Sequence, residues 1–474
     1  MNRRTKIVAT LGPATDDADA LEQLIRAGCD VVRINFSHGD ATTHARRIKM
    51  VRAVARELDT DVAVLADLSG PKIRIDRFRE GRVELTRGQT FSLYARENPP
   101  AGDEHGVGVA YLGLARDVQP GSELLLDDGL MAMTVSEVVG DEIRCIVDTA
   151  GPLSDRKGLN LRGGGLSIPG VSDADRDDIK LAAEWQVDYL AVSFPRSAED
   201  MQQARDLLQA AGGSAGLVSK IERTEAIENL ESIIEASDAV LVARGDLGVE
   251  IGEAELPGLQ KRIIAACLKL NRPVITATQM MQSMIENPIP TRAEVLDVAN
   301  AVIDGTDAVM LSAETAVGRH PARVIEAMAR ICEGAERHVQ AYQTSRLFSA
   351  RAERADQAIA MAAMVVANNF GAQAIIALTE SGSTARWLSR VRSPLPIIGM
   401  SPNRASLRRM RLFQHVQPLF FSANEARPSQ IPRLAIERAR EAGLVRTGDR
   451  VLMTLGDAMG VLGGTNTLKI LSVE

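Results

Sequence analysis

Eight short apolar runs, at residues 5–11, 31–37, 62–68, 189–194, 217–222, 239–246, 273–279 and 308–314, have the length and the aliphatic, β-branched content of strands. Most of the gaps between them carry helical periodicity. Leu21, Leu24 and Ile25 share one helical face that stops at Gly28, and Thr291 with Glu294 forms a capping box ahead of the apolar run 295–303. A strand followed by a helix, repeated eight times, is what closure into a (β/α)8 barrel requires. The alternation therefore predicts an α/β fold built on a TIM barrel.

The spacing breaks once, because about 120 residues separate the third run from the fourth. Within that gap the pattern becomes short alternating segments at 83–85, 90–94, 123–126 and 143–147, punctuated by Asp128-Gly129 and Gly140-Asp141. This predicts a small β-barrel-like lid domain inserted on a barrel loop. After the last barrel helix, expected near Tyr342, a helical stretch at 357–369 precedes strands at 374–379, 396–400, 417–421, 450–455 and 468–473. The expected domains are a catalytic barrel at 1–70 and 166–345, a lid at 71–165 and a C-terminal α/β regulatory domain at 346–474. A 45% hydrophobic content over 474 residues can fill that many cores.

Composition narrows the function. A formal charge of −7 speaks against a protein that grips nucleic-acid phosphates. Cys29, Cys145, Cys267 and Cys332 are scattered, without a Cys-x-x-Cys pair, so they read as reduced structural thiols. The apolar stretch 7–11 is broken by Gly12-Pro13 and followed by Asp16-Asp17, which is unlike a signal peptide, and eighteen apolar residues never run together. A soluble, cytoplasmic enzyme of small molecules is the expectation, with no membrane partner.

In such a barrel the reacting face lies at the carboxyl ends of the strands. Charged and hydroxyl residues gather there: Arg33, Asn35 and Ser37, then Asp67, Lys220 with Glu222, Arg244 with Asp246, Thr278, and Ser312 with Glu314. Alternation along an extended chain would put Arg33, Asn35 and Ser37 on one face. Glu222 and Asp246 on adjacent strands suit a hard divalent cation, Mg2+ or Mn2+, and Lys220 with Arg33 would neutralise a phosphate or an enolate. A Walker-type Gly-x-x-x-x-Gly-Lys loop is missing, so side chains and metal would have to hold any nucleotide. Arg162-Gly163-Gly164-Gly165 reads as a hinge. Lys220 could alternatively be a Schiff-base nucleophile, or the carboxylate pair could serve a metal-dependent lyase.

Residues 5–15 (TKIVATLGPAT) and 33–39 (RINFSHG) resemble the opening of pyruvate kinases, and 219–222 (SKIE), 243–248 (ARGDLG), 276–280 (TATQM) and 304–315 (DGTDAVMLSAET) resemble that family's active-site strands. The resemblance implies phosphoryl transfer from phosphoenolpyruvate to ADP, giving pyruvate and ATP. It implies Glu222 and Asp246 as metal ligands, Lys220 on the phosphoryl group in flight, and Arg33 on the phosphate. Gly245, Asp246 and Thr278 would bind the substrate carboxylate, with Thr278 or a neighbouring water helping to protonate the enolate. Asn35, His38, Arg74 and Lys157 match positions near the nucleotide. A homotetramer is implied as well.

Two further expectations concern regulation and ions. Thr379, Ser381, Gly382, Ser383 and Thr384 follow a strand and open a helix, which suits an anion, and the resemblance makes it the phosphate anchor of an effector, a phosphorylated sugar or nucleoside monophosphate. The arginines Arg404, Arg408, Arg409 and Arg411 read as a solvated helix face or a subunit contact. Lys72 stands where many members of the family carry a glutamate beside a K+ held near Asn35, Ser37 and Asp67. Its ammonium would replace that ion, so the resemblance points to the K+-independent branch, with Lys72 supplying the cation that Asp67 needs.

Overall fold

The computed structural model describes residues 3–338, 352–391, 393–423, 426–457 and 463–474. Eight parallel strands close into a barrel: β1 (Lys6–Thr10), β2 (Val31–Asn35), β3 (Ala63–Asp67), β4 (Tyr189–Val192), β5 (Gly216–Ile221), β6 (Ala239–Ala243), β7 (Val274–Ala277) and β8 (Ala308–Leu311). Neighbours follow chain order, and β8 closes on β1 through Lys6 opposite Ala308 and Ala9 opposite Leu311. The period of two assigns side chains to two cores. Ile7 and Ala9 join the layer between strands and helices, whereas Val8, Val31, Leu65, Val218 and Leu241 belong to a second cluster.

Most runs overshoot the strands at their carboxyl ends. β2 stops at Asn35, so Ser37 lies in a turn and does not share a strand face with Arg33. Residues 244–246, expected in a strand, instead open the helix Arg244–Ile251. Phe194, Thr278 and Gln279 take left-handed backbone conformations with φ of 57°, 69° and 52°, which a ladder cannot accommodate. The chain leaves the sheet where its polar residues turn into the cleft.

Between β3 and β4 stand a six-stranded sheet and a two-stranded one, spanning Arg82–Leu85 to Leu159–Leu161 around their own apolar core. The return to the barrel passes Gly163, Gly164 and Gly165, all with positive φ. A Cβ on Gly164 would meet the Glu225 carboxylate at 2.9 Å. Glu225 Oε1 accepts from the Gly165 amide at 2.6 Å, so this glycine run holds an acid of the chain itself. The C-terminal sheet runs β11 (Val416–Phe420), β10 (Ile397–Ser401), β9 (Ala374–Leu378), β12 (Arg450–Gly456), β13 (Thr465–Ser472), with only the last pair antiparallel. The boundary expected at 345/346 falls outside the described residues.

The end of the barrel opposite the cleft carries a ring of aspartates. Asp30, Asp188, Asp238 and Asp307 immediately precede β2, β4, β6 and β8, and each accepts from a backbone amide of the preceding strand: Ile7 at 3.0 Å, Val64 at 2.8 Å, Leu217 at 2.8 Å and Val274 at 3.0 Å. Arginines of the C-terminal domain dock on this ring. Arg408 Nε reaches Asp188 at 2.7 Å, Arg390 Nη1 reaches Asp307 at 2.9 Å, and Arg411 lies 3.8 Å from Asp30. The arginine cluster at 404–411 is therefore a contact within the chain for Arg408 and Arg411, where a solvated face or a subunit contact was expected, because the helix Arg404–Met410 packs against the barrel base.

Candidate active site

Asp67 ends β3 with no exposed surface, and both its oxygens meet cations. Oδ2 accepts from Arg33 Nε at 2.6 Å, and Lys220 Nζ lies 3.3 Å from Oδ1. Arg33 also donates to Thr10 Oγ1 at 3.1 Å, which fixes the guanidinium across the barrel mouth. Lys220 Nζ lies 3.0 Å from Glu222 Oε1 and donates to Ser193 Oγ at 2.7 Å. Burial opposes the charge on Lys220, but Asp67 and then Glu222 outweigh it and raise its proton affinity above that of an ordinary lysine. Burial likewise works against the Asp67 carboxylate, which Lys220 and Arg33 nonetheless hold below the usual range. A lysine so firmly protonated is no free amine, so this geometry opposes the Schiff-base alternative.

Glu222 follows β5 and turns its second oxygen to the Phe194 amide at 2.8 Å. Burial, with Asp246 as a like charge, pushes its carboxyl up to about 7 despite Lys220. A buried acid with a second, half-buried one beside it fits a divalent cation, which would hold both deprotonated. Among the described residues no third acid, histidine or cysteine joins them, and a hard cation that keeps water or substrate oxygens in its other positions needs none.

Asp246 sits in the first turn of the helix Arg244–Ile251, whose leading amides have no partner within the helix. The Gly245 amide donates to Thr278 Oγ1 at 2.9 Å, and that hydroxyl donates to the Ala277 carbonyl at 2.6 Å. Arg244 clamps the left-handed Thr278 turn, with Nη2 on the Thr278 carbonyl at 2.6 Å and Nη1 on Asp297 at 2.7 Å. A strained turn held this way places a hydroxyl and an amide side by side.

Lys72 is not beside Asp67. Its Nζ lies 2.9 Å from Asp246 Oδ1 and 3.4 Å from Asp128 Oδ1 in the lid, which corrects the expected grouping of Lys72 with Asp67. Arg33 and Lys220 already neutralise Asp67, and the long lysine stem spans from the hinge to the next acid. The expected nucleotide residues fall into two pairs. Asn35 Nδ2 and His38 Nδ1 lie 3.2 Å apart on the barrel; in the lid, Arg74 donates to the Arg156 carbonyl at 3.1 Å and Lys157 pairs with Asp127 at 2.7 Å. Asn35 also accepts from the Ser37 amide at 3.2 Å.

In the C-terminal domain Gly382, with φ of 87°, caps the helix Ser383–Ser389, and its amide donates to Thr379 Oγ1 at 3.0 Å. Ser381 and Ser383 are half-buried. Thr384 is not available to a ligand. Its buried hydroxyl lies 2.7 Å from Thr465 Oγ1, because one residue further along the helix turns the side chain inward.

Comparison with known proteins decides the family. A family model for the pyruvate kinase barrel domain matches residues 2–325, and one for the pyruvate kinase alpha/beta domain matches 357–471. The chain belongs to the pyruvate kinase family. It is 50% identical to pyruvate kinase II of Salmonella typhimurium over 476 aligned residues, covering 100% of this chain and 99% of that protein. It is 46% identical to a Haemophilus influenzae pyruvate kinase across 100% of this chain and 99% of the relative. A crystal structure of a Cryptosporidium parvum pyruvate kinase superposes with a TM-score of 0.93 at 33% identity, over 100% of this chain and 96% of the other. Phosphotransferase activity of the pyruvate kinase type, on the barrel and C-terminal architecture expected, follows. No helix of the described residues is long and apolar enough to cross a membrane.

Three features of this pyruvate kinase escape a reading by motif. Ser193 anchors Lys220 from β4, Asp128 completes the Lys72 bridge from the lid, and Thr10 steadies Arg33 from β1. Only the aspartate ring had a usable signal, an Asp placed directly before every even-numbered barrel strand.

Proposed function

We propose that Lys220, Arg33 and Thr278 carry the transfer from phosphoenolpyruvate to ADP, with Glu222 and Asp246 holding a divalent cation, Mg2+ or Mn2+. The observation that carries this reading is the ammonium of Lys220, buried and kept charged between Asp67 and Glu222. A bound divalent cation would supply positive charge to the phosphoryl oxygens. Arg33, fixed by Asp67 and Thr10, binds and orients the substrate phosphate. Lys220 stabilises the charge that spreads as phosphorus separates from the enolate oxygen. The amides at Gly245 and Asp246, with Thr278 Oγ1, receive the carboxylate, and Thr278 or a water beside it delivers a proton to the enolate carbon. Asn35 and His38 from the barrel and Arg74 and Lys157 from the lid take the nucleotide, and lid closure excludes water. The test couples pyruvate release to lactate dehydrogenase. Glu222→Ala and Asp246→Ala should each abolish transfer with the fold intact, and normal turnover by either in saturating Mg2+ would sink the assignment.

The finer expectations rest on the same frame. Independence of K+ is supported by the Lys72 ammonium, which lies in the cleft against Asp246 and not in solvent. Activation by a phosphorylated sugar or nucleoside monophosphate is supported by the Gly382 turn with Ser381 and Ser383 beside Thr379. A homotetramer is supported by an apolar groove of about 530 Å3 between the helices Arg292–Asp304 and Pro321–His338, beside the exposed Leu296 and Ile303. We place the domain divisions at 70/71, 165/166 and 345/346, and the enzyme in the cytoplasm.

A further inference from the structure

A cavity of about 560 Å3 opens at the base of the barrel, at the end away from Lys220, between the helix Ala41–Glu57 and the helix Arg404–Met410 of the C-terminal domain. Arg52 and Arg56 stand four residues apart on the first helix, and Arg404 and Arg408 four apart on the second. Each pair shares a helical face, and both faces line the cavity. Four guanidinium groups brought to one space by two domains repel one another unless anions separate them.

The inner two are separated. Asp188, itself buried, takes Arg52 on Oδ2 at 2.8 Å and Arg408 on Oδ1 at 2.7 Å. The outer two share no such anion. Arg404 lies 3.4 Å from Asp61 and rests over the Phe420 ring at 4.7 Å, and the exposed Arg56 has no ion pair among the described residues. Asp59 and Asp61 are the acids of the wall, so two carboxylates face four guanidinium groups, and Asp188 behind them is shared by the inner pair. Trp185 supplies a flat wall beside the charges.

A planar guanidinium fork matches two phosphate oxygens, and clefts between domains are preferred places for small ligands. We propose that this cavity binds the phosphate group of a small phosphorylated metabolite between Arg56 and Arg404, joining the C-terminal domain to the barrel. The site shares no residue with the turn at 379–384 or with the cleft at the strand ends, and its occupancy is independent of both.

The chain contains two tryptophans, Trp185 in this cavity and Trp387 on the helix Ser383–Ser389. In a Trp387→Phe background Trp185 alone reports. Inorganic phosphate, titrated without substrate or metal and at ionic strength held constant with chloride, should change its emission saturably in the millimolar range. Adding Arg56→Gln, at an exposed position that cannot disturb the core, should weaken that binding about tenfold, as expected for one lost charge-assisted pair, and Arg56→Gln with Arg404→Gln should abolish it. Ser381→Ala with Ser383→Ala should leave it unchanged. A linear response, or a saturable one that survives the double arginine variant, would overturn the proposal.

Discussion

Lys72 Nζ, in the hinge, lies 2.9 Å from Asp246 Oδ1, in the first turn of the helix after β6. Burial works against this ammonium, but Asp246 and then Asp128 raise its proton affinity, so a fixed positive charge stands in the cleft at every physiological pH. The enzyme should run at essentially full rate without K+, and Lys72→Glu should create a K+ requirement. Strong stimulation of the unmodified enzyme by KCl, relative to a large organic cation at equal ionic strength, would refute this.

Lys220→Met removes the ammonium held by Asp67, Glu222 and Ser193 while keeping most of the stem. The chemical step should slow by about 100-fold or more, with a smaller change in KM, because the charge matters most as the phosphoryl group separates. Single-turnover rates separate the two effects. An unchanged maximal rate would remove Lys220 from the assigned role.

Arg390 and Asp307 are both buried where the C-terminal domain meets the barrel base. Arg390→Met leaves the Asp307 carboxylate with backbone partners only, and breaking such a pair costs about 3–5 kcal/mol. Denaturant titration should show a lower midpoint for the barrel and C-terminal domain together. Arg390→Met combined with Asp307→Leu should recover part of the loss, and no recovery would mean that the charge pair is not the cause.

Glu250 lies under the lid hinge, where its side chain accepts from the Thr224 amide at 3.0 Å and its carbonyl from the Gly163 amide at 3.3 Å. Burial raises its carboxyl to about 7. An acid raised on folding binds its proton more tightly in the folded state, so its contribution is full below the ordinary glutamate value of about 4.3 and is lost as pH rises through 7. Glu250→Gln, which keeps an acceptor and cannot ionise, should match the parent in acid and melt later than the parent at alkaline pH. Parallel melting curves across that range would show that Glu250 does not titrate there.

Ser381→Ala with Ser383→Ala should remove the response to phosphorylated activators while leaving the unactivated rate unchanged, since both hydroxyls stand at the Gly382 turn far from the barrel strands in sequence. Activation that persists in this variant, measured by the coupled assay across a panel of sugar and nucleoside monophosphates, would rule the loop out.

The barrel was legible in the chain because strand and helix periodicity are local properties. An apolar run such as 62–68 or the Thr291–Glu294 capping box needs no distant partner to be recognised. That Arg33, Lys220, Glu222, Asp246 and Thr278 gather at one end of the barrel was legible too, because the same architecture repeats polar residues at corresponding strand ends. Partnership was not. The family resemblance put Lys72 with Asp67, but folding brings three segments together so that Arg33 and Lys220 neutralise Asp67, and Lys72 reaches the next acid. Thr384 reads like its neighbour Ser383, and only the winding of its helix against β13 turns its hydroxyl inward. Arg408 and Arg411 looked like a solvated face or a subunit contact until their domain closed on the aspartates beneath β4 and β2. Side-chain type and spacing set the elements and the kind of chemistry at their ends, whereas which charge neutralises which is a question of distance in space. A few ångströms decide it, and only the packed barrel fixes them.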